Sequence, residues 1–200
     1  MTRAVFPVPG RFFALALLFA AAAVLQACIE AAVIGGAATT AYVAVDRRPP
    51  DVMLGDERID IIASSRVGDA LKDQGHVNVT SYNSTALITG EVPTAQMKAD
   101  AEKIVGQVPQ VKSVINEIQL SGASSLASRA NDSYITSKVK GNFLSANKFS
   151  INRVKVVTEA GVVYLLGLVT REEADAATEI ARGTSGVQKV VRVFEYIVAN

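Results

Sequence analysis

The 200-residue chain contains no tryptophan, one cysteine and one histidine, and only 6% of its residues are aromatic. The single cysteine, Cys28, excludes an intramolecular disulfide in any compartment. Cys28 and His76 together supply at most two ligands, so a zinc site built from cysteine and histidine alone is also excluded. Because aromatic residues are scarce while 50% of the chain is hydrophobic, the core must consist mainly of valine, isoleucine, leucine and alanine.

A strong net charge of either sign is also missing. The chain has 20 basic and 19 acidic residues and a formal net charge of +1, whereas a nucleic-acid-binding domain is usually strongly basic. We therefore expect no nucleic-acid partner. The charges are nevertheless unevenly distributed: residues 46–122 carry 8 basic and 11 acidic residues, and residues 123–200 carry 10 and 7.

The N-terminus has the pattern of an export signal. Arg3 and Arg11 are followed by an apolar run over residues 12–25. That length is typical of a signal-peptide core and is short for a helix that spans a bilayer. A transmembrane anchor is the first alternative, since apolar residues resume at 31–45, but Gln26 and Glu30 would then lie at a depth where polar groups are costly.

The apolar run ends in the sequence Leu-Gln-Ala-Cys at residues 25–28, which resembles the lipobox of bacterial lipoproteins. The resemblance implies cleavage after residue 27, a diacylglycerol on the Cys28 thiol and an acyl chain on its new amino group. We expect no other cofactor and no metal. Ile29 stands where an aspartate usually implies inner-membrane retention, so the outer membrane is expected. The second alternative is an ordinary cleaved signal followed by a chance cysteine.

The rest of the chain is an internal repeat. Residues 77–90 align without gaps with residues 154–167 at an offset of 77. After Val92 and Val169, repeat two lacks one residue relative to repeat one, and the offset becomes 76. Before the strands, Val67 is matched with Val139 at an offset of 72. This alignment predicts that repeat two is five residues longer between its first helix and its first strand.

Hydrophobic spacing predicts the order α-β-β-α-β in each repeat, with two helices packed on one face of a three-stranded mixed sheet. The fold class is therefore α+β. Thr170 to Glu173 has the spacing of a capping box at the start of the second helix of repeat two. The elements predicted for repeat one are a helix at 57–74, strands at 77–82 and 85–91, a helix at 94–106 and a strand at 111–120.

The domain organisation follows from these elements. Pro49 and Pro50 are interpreted as linker residues, because proline breaks helix and sheet. The Ser/Ala/Gly-rich residues 121–128 are expected to connect the repeats. The full prediction is a signal peptide at 1–27, a lipidated tether and linker at 28–56, domain one at 57–120, a linker at 121–128 and domain two at 129–198.

Paired glycines and several short segments of the repeats carry a family resemblance. Gly90 and Gly167 each close the second strand of their repeat, where a bulge or close backbone approach leaves no room for a side chain. Together with the sequences GLVTREEA at 167–174 and GVQKV at 186–190, these glycines form a pattern that resembles the BON-domain family. The sequence NDSYITSKVK at 131–140 is similar to the dual BON-domain lipoproteins.

The resemblance covers residues 57–198. It implies a periplasm-facing protein that supports outer-membrane integrity, with two BON domains and no catalytic residues. It also implies binding to phospholipid surfaces, with the second domain implicated. Repeat one departs from the pattern at Pro109, where repeat two has Ser185 in a Gly-rich turn.

The chemistry of repeat two favours an anionic membrane surface. A basic residue near such a surface contributes about 1 kcal/mol of binding free energy, so several together are significant. No acidic residue occurs between Ser133 and Thr158. The basic residues of that stretch are Lys138, Lys140, Lys148, Arg153 and Lys155.

The first helix of repeat two is predicted to bury Ile135, Val139, Phe143 and Ala146 and to present a second stripe of residues beside this buried one. The residues alone leave two interpretations open: Tyr134 and Leu144 insert into lipid, or they pack against the other repeat. With the family resemblance, lipid contact is expected. The phospholipid-binding residues are then Tyr134, Ser137, Lys138, Lys140, Gly141 and Leu144.

The sequence leaves two other classes of function open. The first is a scaffold on which the repeats dock periplasmic or outer-membrane proteins without recognising lipid. The second is a hydrolase, for which His76 is the only histidine available as a base. No nucleophile motif lies near His76 in the sequence, so catalysis is not expected.

Overall fold

Each repeat folds around its own helix–sheet core. The computed structural model describes residues 46–72 and 74–198, which fall in one compact unit. The predicted signal peptide, Cys28 and residues 29–45 of the predicted tether lie outside the described residues. Within the described part of the chain, no helix is long and apolar enough to cross a membrane.

Repeat one has a mixed sheet in which β1 is antiparallel to β2, while β3 and β4 both run parallel to β2. The single predicted strand at 111–120 is therefore two short strands. The elements are α1 (Pro50–Leu71), β1 (His76–Tyr82), β2 (Thr85–Val92), α2 (Ala95–Gly106), β3 (Ser113–Asn116) and β4 (Gln119–Leu120).

Repeat two has the same topology, with β5 antiparallel to β6 and β7 parallel to β6. A single 3₁₀ turn, Ile151–Arg153, precedes the first strand. The predicted capping box is present, because the Thr170 side chain accepts from the Glu173 amide while Glu173 accepts from the Thr170 amide. The elements are α3 (Leu126–Ala146), β5 (Val154–Glu159), β6 (Val162–Val169), α4 (Arg171–Arg182) and β7 (Lys189–Tyr196). The predicted α+β fold is confirmed.

Both first helices begin earlier than predicted. Pro49 is the N-cap of α1 and Pro50 its first residue, so the prolines interpreted as linker residues start the helix. Proline is favoured at this position because the first-turn N–H groups have no partner within the helix and its fixed φ is already helical. In repeat two, Ser125 caps α3 by accepting the Ser128 amide at 3.1 Å. Residues 126–128 of the predicted linker are therefore helical.

Two buried aspartates correct the alignment of the first helices. Asp56 in α1 accepts N–H bonds from the β1–β2 turn at Asn83, and Asp132 in α3 accepts from the β5–β6 turn at Ala160. The helices therefore correspond at an offset of 76 rather than 72. The separation of aspartate and turn is 27 residues in repeat one and 28 in repeat two. From the helix aspartate to the hairpin turn, repeat two is therefore one residue longer than repeat one. The prediction that it is five residues longer between its first helix and first strand is wrong.

The second face of each sheet packs against the other repeat. Alternate residues of β2 and β6 point to opposite faces, so that Ile88 and Leu165 contact the helices while Leu87 and Leu166 do not. Leu87 and Leu166 join Tyr82 and Tyr164 in a third buried cluster, formed by both repeats. The two sheets are thereby covered on both faces.

The segment before α1 connects to both repeats. Arg47 donates to both oxygens of Glu173 in α4, at 2.5 and 3.2 Å, and to the carbonyl of Leu168 at 3.0 Å. Arg48 pairs with Asp56 at 2.8 Å and lies 3.9 Å from the centroid of the Tyr82 ring. Two consecutive arginines therefore hold the two repeats together.

Candidate phospholipid-binding surface

The predicted lipid-contact residues lie on the outer side of α3, which we call the α3 surface: Tyr134, Ser137, Lys138, Lys140, Gly141 and Leu144. At 100° per residue, Tyr134, Ser137, Gly141 and Leu144 fall within an arc of about 80°. Lys138 and Lys140 lie about 40° beyond opposite edges of that arc. The structure therefore brings all six predicted residues to one side of the helix.

The apolar side chains of the α3 surface face solvent. Tyr134 is 62% exposed and Leu144 is 69% exposed. The alternative in which these two residues pack against repeat one is therefore wrong. The opposite face of α3 buries Ile135, Val139 and Phe143, as the helical spacing predicts, whereas Ala146, which was predicted to join them, is exposed as the last residue of the helix.

A third exposed apolar residue, Leu126, extends this surface and was missed from the sequence. It is 78% exposed and lies 18 residues before Leu144, which is five full turns, so both point in the same direction. The Ser-rich composition around Leu126 predicts a linker rather than a helix. The Ser125 cap is the signal that could have placed Leu126 on the helix.

Three serines of α3 satisfy their hydroxyl groups within the helix. Ser133, Ser137 and Ser145 each donate to the carbonyl four residues earlier, at 2.9 to 3.1 Å. A hydroxyl bonded in this way loses less on leaving water than a hydroxyl without a partner. The small, internally satisfied residues between Tyr134 and Leu144 therefore form a surface that can be covered by an apolar phase at low cost.

The exposed side of α3 carries basic groups and no exposed acid. Asp132 is the one acidic residue of α3, and it is buried beneath the surface with both oxygens bound to backbone N–H groups. Lys138 lies 4.7 Å from the Tyr134 ring centroid and donates to the carbonyl of Ser185. Lys140 makes no hydrogen bond or ion pair with the described residues and is exposed.

Two bases of the predicted basic stretch have structural partners instead. Arg153 pairs with Glu173 at 2.5 Å, and Lys155 pairs with Asp60 of α1 at 3.3 Å. They are therefore not available for a membrane surface in the way that Lys138, Lys140 and Lys148 are. Sequence composition alone did not separate these two groups.

The paired glycines are required by close backbone approach. Gly90 has a φ of +118°, and a Cβ there would overlap the carbonyl oxygen of His76. A Cβ on Gly167 would lie 2.5 Å from the carbonyl oxygen of Arg153. A side chain at either position would force the neighbouring strand to move. This close approach of the backbone is the geometric reason for glycine at both positions.

His76 does not have the surroundings of a catalytic base. Its ring nitrogens lie 3.1 Å from the Asn78 amide nitrogen and 3.3 Å from an Arg129 nitrogen. The nearby hydroxyl of Ser133 donates to a backbone carbonyl of its own helix. Within the described residues, no nucleophile is hydrogen-bonded to His76, and no cluster of His, Cys, Asp and Glu could hold a metal ion.

Comparison with known proteins agrees with this architecture. The BON domain family model matches residues 60–122 and 131–197. An outer membrane lipoprotein from Haemophilus influenzae, DolP, is 40% identical over 185 residues, covering 92% of this chain and 95% of that protein. A 21 kDa hemolysin from Actinobacillus pleuropneumoniae is 33% identical, covering 76% of this chain and 80% of that protein.

Two more distant matches cover about two thirds of the chain. The osmotically-inducible protein Y of Escherichia coli is 28% identical over 145 residues, covering 68% of this chain and 72% of that protein. Among solved structures, a structural protein of the type III secretion system of Chlamydia trachomatis aligns at 13% identity with a TM-score of 0.30, covering 68% of this chain and 92% of that chain. That likeness is too weak to carry an argument. The two family matches and the 40% identity to DolP show that the chain belongs to the BON-domain family, as a dual BON-domain lipoprotein of the outer membrane.

Proposed function

We propose that the protein binds anionic phospholipid through the α3 surface of its second BON domain. A lipid on Cys28 holds the protein to the outer membrane. By these two contacts it supports envelope integrity, without catalysis. The observation that carries the proposal is the exposure of Tyr134 and Leu144 between two lysines. Tyrosine suits an interface because its ring can enter the apolar region while its hydroxyl stays hydrated.

The energetics of this surface are adequate for a second membrane contact. Burying a leucine side chain contributes about 1.5–3 kcal/mol, and each lysine near an anionic surface contributes about 1 kcal/mol. These contributions are modest for a protein free in solution. For an anchored protein the lipid is already present at high effective concentration, so a weak contact is sufficient.

The experiment is flotation of the secreted, unlipidated mature chain with vesicles of anionic phospholipid. Leu144→Ser is expected to weaken binding by about tenfold or more, because a leucine no longer enters the apolar region. Lys140→Gln is expected to weaken it by about fivefold, and the loss should shrink as salt is added.

Repeat one offers matched controls. Ile61→Ser removes an equally exposed apolar side chain from α1, and Lys103→Gln removes an exposed lysine from α2. Both controls should bind vesicles as the unaltered chain does. Equal losses for the α3 variants and their controls, with the fold intact by circular dichroism, would refute the α3 surface as the binding site.

A second candidate function, docking of an envelope protein, is favoured by one observation. Leu54 and Ile61 are exposed on the same side of α1, seven residues apart and thus two turns from each other. Because the sheet faces are occupied by the contact between the repeats, a partner protein would meet the helices. Crosslinking from position 61 in whole cells separates the candidates, since a defined protein adduct supports docking and lipid-only adducts oppose it.

A further inference from the structure

A cavity between the two repeats is lined by two opposite charges that do not pair with each other. It has a volume of about 260 Å³. Repeat one contributes His76 and Asn78 to its lining, and repeat two contributes mainly polar side chains, among them Arg129 of α3 and Glu159 of β5. Asn78 and Ser133, which also line the cavity, are exposed, so a small molecule can enter it from solvent.

The negative charge of the cavity is Glu159, which is only 3% exposed. Its Oε2 atom accepts from the Asn78 amide at 2.8 Å and from the Thr89 hydroxyl at 3.3 Å, whereas its Oε1 atom has no hydrogen-bond donor among the described residues. Two donors on one oxygen suit an ionised carboxylate. Because buried charges are normally paired, Oε1 of Glu159 is available for a cationic donor.

The positive charge of the cavity is Arg129, which is half-buried. One of its guanidinium nitrogens lies 3.3 Å from Nδ1 of His76, and its Nε atom is buried without an acceptor in the described part of the chain. The other described arginines without an ion pair, Arg58, Arg66 and Arg171, are exposed to water. An arginine has five N–H donors that can bind an anion in pairs, so Arg129 retains donors for an anion.

The other carboxylates near the cavity already have partners. Both oxygens of Asp132 bind the amides of the β5–β6 turn, and Glu91 accepts the Ser124 amide at 3.1 Å. Burial raises the pKa of Glu159, and the nearby charge of Glu91 raises it further. A cation bound to Oε1 of Glu159 would therefore be attracted by both glutamates.

Two side chains of repeat one separate the opposite charges. The His76 ring contacts Arg129 through Nδ1 at 3.3 Å and the Asn78 amide nitrogen through Nε2 at 3.1 Å. The Asn78 amide in turn donates to Glu159 at 2.8 Å. The cavity therefore offers an anion-binding group and a cation-binding group that are held apart from each other.

We propose that this cavity binds a small zwitterion, with its anionic group on Arg129 and its ammonium group on Oε1 of Glu159. A ligand with one charge would leave one of these two residues without a partner. The volume of about 260 Å³ is several times the roughly 30 Å³ of a water molecule and below the roughly 300–1,000 Å³ of pockets for drug-sized ligands. Phosphoethanolamine has this chemistry, either as a free molecule or as the headgroup of a phospholipid.

The proposal does not rest on lipid binding by the α3 surface. Arg129 lies about 140° from Tyr134 around the axis of α3, so the cavity and the α3 surface face different directions. Leu144→Ser, which should weaken binding to anionic vesicles, should keep the affinity of the unaltered chain for free phosphoethanolamine. The two proposals can therefore fail separately.

The first test compares three ligands on the unaltered protein and needs no variant. Calorimetry of the lipidated chain in maltoside micelles, whose headgroups are uncharged, measures binding of phosphoethanolamine, inorganic phosphate and ethanolamine. Phosphoethanolamine should bind about tenfold or more tightly than either of the others, because it forms charge-assisted hydrogen bonds at both ends. Absence of phosphoethanolamine binding, or an affinity no higher than that of phosphate or ethanolamine, would overturn the proposal.

The second test removes one charge at a time. Arg129→Gln and Glu159→Gln should each weaken phosphoethanolamine binding by about tenfold. Arg129→Gln should leave ethanolamine binding unchanged, and Glu159→Gln should leave phosphate binding unchanged. An unaltered affinity for phosphoethanolamine in Arg129→Gln would overturn the proposal, even if Glu159→Gln failed to fold.

The matched controls are Arg66→Gln and Glu195→Gln. Arg66 is an exposed arginine of α1 without an ion pair among the described residues. Glu195 accepts from Asn83 of repeat one at 2.7 Å, but at an exposed position, so its variant controls for loss of a hydrogen bond between the repeats. Both controls should bind phosphoethanolamine as the unaltered chain does, and equal losses in controls and cavity variants would overturn the proposal.

The source of the zwitterion is decided by flotation of the unlipidated mature chain. Vesicles of phosphatidylethanolamine are compared with vesicles of phosphatidylcholine, whose quaternary ammonium has no N–H donor for Glu159. A preference for phosphatidylethanolamine that disappears in Arg129→Gln supports a lipid headgroup as the ligand. Equal flotation with both lipids, together with specific binding of free phosphoethanolamine, supports a soluble zwitterion.

Discussion

Asp56 and Asp132 occupy equivalent positions in the two repeats, each accepting both backbone N–H groups of a hairpin turn. Asp56 binds the amides of Asn83 and Ser84, both at 2.8 Å. Asp132 binds those of Ala160 and Gly161, at 3.0 and 2.9 Å. All four turn residues have positive φ, as in the type I′ turns that suit the twist of a hairpin.

Removal of the Asp132 carboxylate should destabilise repeat two. Asp132→Ala leaves two turn amides without their acceptor, at about 1–3 kcal/mol for each unsatisfied group. Asp132→Asn retains one acceptor oxygen and should lose about half as much free energy of unfolding. Urea denaturation of both variants measures the difference, and equal losses for alanine and asparagine would contradict the turn-capping role.

Two glycines of repeat two should respond in opposite directions to alanine. Gly167→Ala is expected to lower the free energy of unfolding by about 1–3 kcal/mol, because the new Cβ meets the backbone of Arg153. Gly141→Ala should raise it by about 0.5–1 kcal/mol, because alanine is the better helix former and nothing lies within 4 Å of that Cβ. Thermal denaturation measures both, and vesicle flotation should show no loss of affinity for Gly141→Ala.

The contact of Arg47 with Glu173 should make the free energy of unfolding depend on pH in the acidic range. Burial by itself would raise the pKa of Glu173, but hydrogen bonds from Arg47, the Thr170 amide and Arg153 lower it from 4.5 to about 2. A lowered pKa stabilises the fold above pH 4.5, and this contribution is lost as the pH falls towards about 2.

Arg47→Gln should therefore reduce the free energy of unfolding near neutral pH by about 1.5–3 kcal/mol, as expected for hydrogen bonds to a charged group. It should also reduce the loss of stability that the unaltered chain shows as the pH falls. Arg182→Gln is the control, since it breaks an exposed pair with Glu179 on the same helix and should cost about 0.5 kcal/mol or less. Urea denaturation from about pH 2 to 7 tests both. If Arg47→Gln loses stability at acid pH as the unaltered chain does, the Arg47–Glu173 contact does not contribute to acid-dependent stability.

The predicted lipid anchor can be tested at Cys28. Cys28→Ala should abolish incorporation of labelled palmitate and leave a precursor that retains residues 1–27, because the thiol that receives the diacylglycerol is missing. Mass spectrometry of the membrane fraction measures both. A mature, acylated product in this variant would show that attachment occurs elsewhere.

The sequence by itself determined the features that depend on local pattern. The apolar run before Cys28, the repeated strand pairs that contain Gly90 and Gly167, and the capping box at Thr170 are all short-range signals. A strand shows its two faces by alternation, and a helix shows its buried stripe by spacing, so the α-β-β-α-β order could be predicted. The α3 surface could be predicted too, because its members share a helical face.

Only the tertiary structure decided how those features meet. The contact of Tyr82 with the sheet of repeat two joins residues far apart in the chain, and so do the bonds of Arg47 to Glu173 and of Asn78 to Glu159. Local periodicity carries no information about such partners, because it states that a face is buried and not what covers it. That is why Tyr134 and Leu144 could be assigned to one face from the sequence, while their exposure to solvent required the fold.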